Sequence, residues 1–376
     1  MGTHIYADHA ATTTLDPAAY GAMEPWLLEA YGNASQPYAF ARRPKQALAE
    51  ARATIAHCIG AYPEEIYFTS GGTESDNWVI KASALADPAR RPTITTAFEH
   101  HAILHSAAAI ERLGYPVTYL TPNEDGYITP ENLQSCIPRD TRLVSVMLAN
   151  NEIGTIQPIR DLCRVSHDQG ARFHTDAVQA VGHIPIDVHT LGVDFLSASA
   201  HKFNGPKGIG FLYIREGIAL SPYLDGGAQE RGHRAGTENV AAIVGMAVAL
   251  QNNCNALQKN RQHIHNLEIL LERRLQNAGV VYHRNGGENR LPGLLSLSFP
   301  GKNGEAILHR LDLVGISIST GSACDSVNQQ ISHVLQAIGL PETDAKGTIR
   351  ISLGKDNTKE DVEKIAAALA RILCTR

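Results

Sequence analysis

The stretch Ser199-Ala-His-Lys-Phe-Asn-Gly-Pro-Lys-Gly sets a lysine, Lys202, between two apolar runs. The first, Asp194-Phe-Leu-Ser-Ala, reads as a buried strand, and the second begins at Gly210-Phe-Leu-Tyr-Ile. A lysine at a strand end beside a core is costly to keep charged. Desolvation lowers its pKa and makes the amine a nucleophile. Other residues at strand ends extend this chemistry. Gly71-Gly72-Thr73 lies between a strand and a helix, where exposed backbone N–H groups suit a phosphate. Ser199 and His201 add side-chain donors for the same anion. Asp176 closes the run Phe173-His-Thr; as a buried carboxylate it needs a cationic partner, or it caps the helix that follows. A protonated pyridine nitrogen would be such a partner, with Gln179 one turn on and within reach of the ring's phenolic oxygen. His100 could stack on a ring, but taken singly it reads first as a satisfied core histidine. A Schiff-base lysine, a carboxylate for a ring nitrogen and a phosphate cup together describe an electron-sink cofactor, pyridoxal 5'-phosphate.

These residues need a scaffold. Apolar runs at Glu65-Ile-Tyr-Phe-Thr, Pro92-Thr-Ile-Thr-Thr, Pro116-Val-Thr-Tyr-Leu, Arg142-Leu-Val-Ser-Val-Met, Ala171-Arg-Phe-His-Thr and Val193-Asp-Phe-Leu-Ser alternate with helical patterns. Alternating strands and helices predict an α/β fold with a mainly parallel sheet covered on both faces. Ligands then bind beyond the carboxyl ends of the strands. A long helical stretch from about Val240 to Ala278 follows. After it, Leu294-Leu-Ser-Leu-Ser-Phe, Gly315-Ile-Ser-Ile-Ser and Gly347-Thr-Ile-Arg-Ile-Ser alternate with period two. This predicts a smaller α+β unit with one exposed sheet face.

The 376 residues carry 43% hydrophobic and 19% charged side chains and a formal charge of −5. That balance is ordinary for a globular protein and offers no basic footprint for nucleic acid. No apolar stretch reaches membrane-spanning length, and the N-terminus does not read as a signal peptide. Six scattered cysteines without metal spacing read as free thiols in a reducing cytoplasm. Cys324, in Ser319-Thr-Gly-Ser-Ala-Cys-Asp-Ser, differs: small and polar neighbours predict an exposed loop and a reactive thiol.

Several stretches resemble the cysteine desulfurases of the class V aminotransferase family. They are Tyr6-Ala-Asp-His-Ala-Ala-Thr-Thr, Phe68-Thr-Ser-Gly-Gly-Thr-Glu-Ser-Asp-Asn, Asn150-Asn-Glu-Ile-Gly-Thr-Ile-Gln-Pro-Ile, His174-Thr-Asp-Ala-Val-Gln, the Lys202 segment, Gln229-Glu-Arg-Gly-His-Arg-Ala-Gly-Thr-Glu-Asn, Gly321-Ser-Ala-Cys and Ile349-Arg-Ile-Ser-Leu-Gly. They run in family order along nearly the whole chain. The resemblance implies a fold-type-I pyridoxal phosphate enzyme with a seven-stranded sheet. A large domain would span 16–258. Residues 1–15 with 259–376 would form the small domain, with the cysteine loop at about 318–332. Lys202 would hold the cofactor, His100 would stack on its ring, and Asp176 and Gln179 would bind the pyridine nitrogen and phenolic oxygen. Gly72, Thr73, Ser199 and His201 would hold the phosphate. Thr237 would reach it from a partner subunit, implying a homodimer with shared sites. Arg350 and Asn151 would bind the substrate carboxylate.

The implied reaction converts L-cysteine to alanine. Lys202 removes the α-proton, His100 relays protons, and Cys324 takes the sulfur as a persulfide for an acceptor. That acceptor would be an iron–sulfur scaffold, a tRNA- or cofactor-thiolation carrier, or a DNA phosphorothioation system. Other readings are a selenocysteine lyase, an aminotransferase, or a non-catalytic docking partner. Three residues depart from the family pattern: Asp325 after the cysteine, Tyr38 in place of a histidine, and His9 in place of an asparagine.

Overall fold

The computed structural model describes residues 4–320 and 331–374. Twelve strands are found among them: β1 (Ile5–Tyr6), β2 (Ile66–Thr69), β3 (Thr93–Thr96), β4 (Val117–Leu120), β5 (Leu143–Ser145), β6 (Arg172–Asp176), β7 (Phe195–Ser199), β8 (Gly210–Ile214), β9 (His283–Arg284), β10 (Leu294–Ser298), β11 (Ile316–Ser317) and β12 (Thr348–Ser352). Seven form one sheet in the order β2-β8-β7-β6-β5-β3-β4. Every pair is parallel except the two made by β8, which runs antiparallel between β2 and β7. The six sequence-read strands fall within this sheet, and helices connect them as expected.

Both faces of the sheet are dry. Along β8, Phe211 and Tyr213 point into one core, while Leu212 and Ile214 point into the opposite one with Trp78, Ile103 and Phe195. This explains why β8 reads as a near-continuous apolar run. The register of β8 also matters for what lies at the strand ends. Gly210 faces Thr69 on β2 and Ser199 on β7. It therefore draws the turns after those two strands together.

Two expectations are corrected. The helical stretch Val240–Ala278 is two helices, Val240–Asn255 and Leu257–Asn277, bent by 70°. The break falls after Asn252-Asn253-Cys254-Asn255, all poor helix formers. There Asn253 turns its amide to the Phe203 carbonyl at 2.7 Å. Among the described residues, no single helix is long and apolar enough to cross a membrane.

The second correction concerns the antiparallel sheet β12-β10-β9, which has no exposed face along β10 and β12. Leu295, Leu297, Ile349 and Ile351 pack into a separate core with Leu271, Leu275, Val362 and Ile365. The opposite face is polar yet buried, and its groups bond to one another. Asn285 Nδ2 donates to Ser296 and Ser298, and Ser298 pairs with Thr348. Alternation with period two marked two chemically different interiors here, since a polar face can be buried when its hydrogen bonds are made. β11 does not join this sheet; it pairs in parallel with β1.

The two cores share several segments. Ile5 and Ala7 belong to the smaller core, and Ala10 to the larger. Val334, Leu335, Ile338 and Ala345 also pack on the larger core.

A Cβ at Gly210 would lie 2.4 Å from the Ala198 carbonyl and 2.7 Å from Gly71 Cα. Backbone cannot yield as a flexible side chain can. Gly210→Ala is expected to destabilise the protein by about 2 kcal/mol or more, read as a lowered urea midpoint.

Candidate active site

A cavity of about 330 Å³ opens beyond the carboxyl ends of the parallel strands. Gly72, Thr73, His100, Asn151, Asp176, Gln179, Ser199, His201, Lys202 and Arg350 all line it. Ten of the twelve sequence-derived site residues thus meet in one place.

Lys202 ends a short 3-10 turn, Ala200–Lys202, directly after β7. Its Nζ donates to the carbonyls of Ala10 at 2.6 Å and Ala11 at 2.8 Å. The amine is therefore held by polar atoms rather than stranded in an apolar pocket. Gln179 donates to the same Ala10 carbonyl at 2.9 Å. His183 reaches the Lys202 carbonyl at 2.8 Å and fixes the turn from behind.

At one end of the cavity lies the helix Gly72–Leu85. Its first turn has no side-chain cap, so its backbone N–H groups remain for an anion. Gly71 has φ of 150°, a conformation that favours glycine. Ser199, His201 and Lys207 complete this pole. Burial and then the Lys202 charge push His201 down to about 4, so the ring is neutral near pH 7. Its Nδ1 meets Thr12 Oγ1 at 3.1 Å.

Opposite the amine the site is acidic and dry. Asp176 is 5% exposed and accepts from Val178 N at 2.9 Å, so it also caps the turn after β6. Burial pushes its pKa up to about 6, while the Val178 hydrogen bond and the Lys202 charge oppose the rise. Asp76 is driven well above the carboxylate range by burial and then by Asp176. Its Oδ1 has no hydrogen-bond partner, and His174 Nε2 lies 3.7 Å away. Burial holds His174 down at about 3, so it supplies no cation. Glu99 accepts from Met147 N and Thr96 Oγ1, and burial lifts it to about 8. Two of these buried carboxyls, Asp76 and Asp176, therefore line a place where a cation is wanting. A protonated ring nitrogen fits that need.

His100 caps the helix His101–Arg112, its Nδ1 accepting from Ala102 N at 3.1 Å. This leaves the ring proton on Nε2. Burial, then the Lys202 charge, lowers His100 to about 4.

Arg350 is 5% exposed on β12. Its guanidinium donates to Asp8 Oδ1 at 2.8 Å and to the Asn151 carbonyl at 3.0 Å, and its Nε has no partner. Asp8, Asp76 and Glu99 escaped the sequence reading. The first two stood inside quoted motifs, but their neighbours across the fold could not be read from the chain.

Thr237 does not reach the Lys202 cavity. It lines an adjoining hollow with Ser70, Gly208 and Arg234. Cys324 and Asp325 lie outside the described residues. The chain on either side of them is anchored at the cavity rim. Ser319 pairs backbone to backbone with Arg350. Beyond the gap, Ser332 donates to Glu152, and His333 contacts the Glu99 carbonyl at 2.9 Å. Of the other two departures, Tyr38 is half-exposed at a short 3-10 turn outside this cavity. His9 stacks edge-on against Tyr6 and lines a neighbouring cleft with Gln179 and His183.

The Aminotransferase class-V family description matches residues 5–365. The chain belongs to this family. Enzymes of this family depend on pyridoxal 5'-phosphate, and so does this chain. The chain is 46% identical over 375 residues to the cysteine desulfurase IscS of Dictyoglomus turgidum, covering 99% of this chain and 95% of the relative. A solved NifS-like protein superposes with a TM-score of 0.93 at 38% identity, covering 99% of this chain and all of the other. A solved structure of SspA in complex with cysteine gives 0.84 at 35% identity, over 95% of this chain and all of that one. The seven-stranded, mainly parallel sheet is the fold these relatives share.

The Glu99 carboxyl carries a pH signature. Its folded pKa of about 8 lies above the ordinary 4.5. The stability it contributes is full below about pH 4.5 and is lost as pH rises through 8. In cofactor-free protein, the urea midpoint of wild type should fall relative to Glu99→Gln between these limits. The expected slope is on the order of 1 kcal/mol per pH unit. A constant difference would show Glu99 ionised throughout.

Proposed function

We propose that this chain is a pyridoxal 5'-phosphate-dependent cysteine desulfurase. It converts L-cysteine to L-alanine and passes the sulfur, through a Cys324 persulfide, to an acceptor protein for iron–sulfur cluster or thio-cofactor assembly. The observation that carries this reading is the common cavity of Lys202, Asp176, His100 and Arg350, with both anchors of the Cys324 segment on its rim. Curated relatives at 43–46% identity are described as cysteine desulfurases, and the solved SspA relative holds cysteine.

Lys202 would hold the cofactor, with Asp176 facing its ring nitrogen, Gln179 its phenolic oxygen and His100 its ring face. Gly72, Thr73, Ser199 and His201 would hold its phosphate. When bound, the cofactor supplies an electron-withdrawing ring that weakens bonds near the substrate's α-carbon. The chain's residues do the rest. Arg350 and Asn151 bind the carboxylate of cysteine, which competes with Asp8 for the guanidinium. The Lys202 amine accepts the α-proton and returns it to the carbon skeleton. His100, its Nδ1 engaged by Ala102 N, holds its proton on Nε2 and presents that N–H to the substrate sulfur, orienting it for attack. The Cys324 thiolate then attacks the substrate sulfur. A sulfur–sulfur bond forms as the carbon–sulfur bond breaks; the substrate's S–H proton stays on the persulfide, the β-carbon gains the proton that the Cys324 thiol gave up, and the three-carbon fragment leaves as alanine.

The enzyme works as a cytoplasmic homodimer in which Thr237 of each chain serves the partner's phosphate pole. This reading is supported by the position of Thr237, whose hollow shares Ser70 and Gly208 with the phosphate pole.

Two variants test the proposal. Cys324→Ala should lose alanine and persulfide formation from cysteine by at least about a hundredfold while remaining yellow with bound cofactor. Full activity in that variant would reject the persulfide route. Arg350→Lys should raise KM for cysteine roughly tenfold or more, since a lysine cannot make the paired contacts of a guanidinium. An unchanged KM would place the carboxylate elsewhere.

A further inference from the structure

Two cysteines outside the active site meet across a helix pair. Cys58 lies in the last turn of the helix Arg42–Ile59, and Cys254 in the last turn of Val240–Asn255. They are 196 positions apart in the chain, yet Cys254 Sγ lies 3.9 Å from the Cys58 carbonyl oxygen. The two thiols are also close enough to shift one another's pKa. Both are free and half-buried, so small solutes reach them. The other described cysteines are not placed this way. Cys163 is buried with its thiol on the Gly192 carbonyl, and Cys136 and Cys374 are exposed. Nothing in the reaction proposed above uses Cys58 or Cys254.

We infer that Cys58 and Cys254 are a redox-active dithiol, closed to a reversible disulfide by hydroperoxide-class oxidants, which clasps the ends of these two helices. The contact of the thiols sets the order of events. Their mutual interaction raises the Cys58 pKa and lowers that of Cys254, and Cys254 is the sulfur seated against the Cys58 backbone. Cys254 is therefore the sulfur that meets the oxidant first. Its thiolate attacks the peroxide, an S–O bond forms, the O–O bond breaks, and water leaves after protonation, giving a sulfenic acid. The Cys58 sulfur then displaces the sulfenic oxygen. An S–S bond forms, and a second water leaves with the Cys58 proton. In sum, two thiols and one hydrogen peroxide give one disulfide and two waters.

The position gives the clasp a consequence. Asn253, beside Cys254, donates to the Phe203 carbonyl at 2.7 Å and to the Ala249 carbonyl at 2.9 Å. Phe203 follows Lys202. The disulfide thus forms one residue from the contact that seats the lysine-bearing turn, and fixes the end of the helix supplying it. A bridge closing so long a loop strongly restricts the unfolded chain.

Wild-type holoenzyme is treated with hydrogen peroxide, its remaining thiols are alkylated, and its peptides are mapped without reduction. The expected product is a Cys58–Cys254 cross-linked peptide lighter by two hydrogens. It should disappear on treatment with dithiothreitol, while Cys163 stays reduced. Tm should rise by several degrees on oxidation in wild type and stay unchanged in Cys58→Ser. Cys58 and Cys254 both recovered alkylated, Cys254 recovered as sulfinic acid, or either cysteine linked to another residue would overturn the inference. So would a cross-link accompanied by a fall in Tm, since the bridge would then strain the two helices rather than clasp them.

Discussion

The carbonyls of Ala10 and Ala11 hold the amine of Lys202, and the site depends on the strand-like segment that presents them. This segment is fixed at both ends. At its start, β1 pairs with β11, and Ile5 and Ala7 sink into the smaller core. In the middle, Asp8 pairs with Arg350, and Ala10 N donates to Ser352 Oγ. At its end, Thr13 bonds twice to the His201 carbonyl, and Asp16 N donates to the Asn204 carbonyl. A short stretch near the N-terminus therefore stitches the lysine turn to the arginine strand. These bonds tie the Lys202 amine and the Arg350 guanidinium to one short segment.

Electrostatics supply the second constraint. Burial raises the pKa of Asp76, Glu99 and Asp176, and the Asp176 charge raises the first two further. Such an arrangement is unfavourable by itself and persists only where surrounding structure enforces it. Here β3 and β6 and the helix after β2 deliver one carboxyl each. A cationic ring nitrogen relieves the repulsion, and in return its protonated form is favoured. The histidines nearby are kept neutral by burial and by the Lys202 charge, so His201 would meet an anion as a neutral hydrogen-bonding group rather than as a cation.

The sheet topology connects these parts. The antiparallel β8 separates β2 from β7 by one strand, and Gly210 lets the loops beyond them approach. The phosphate pole is thus assembled from two turns distant in sequence. The same α/β framework leaves the ends of Arg42–Ile59 and Val240–Asn255 side by side behind the lysine turn. Two thiols with no evident local signal come into contact there.

The sequence alone determined the alternation of strands and helices, because apolar runs and helical periodicity are local consequences of burial. It also determined which residue types stood at strand ends, and so the lysine, the aspartate and the glycine turn. Motif order along the chain carried the family. Tertiary structure decided the rest. Period two in β10 and β12 could not show that the polar face was also buried, since burial depends on what lies across it. The bend at Ala256 arose from a side-chain bond to Phe203, far away in the chain. Asp8 gained its role from Arg350, Asp76 from His174 and Asp176, and Glu99 from Met147, all distant in the chain, and Thr237 was placed in an adjoining hollow rather than beside its own lysine. Local patterns fix what a residue can do. Which charges and donors face it is a long-range property, and only the folded chain sets it.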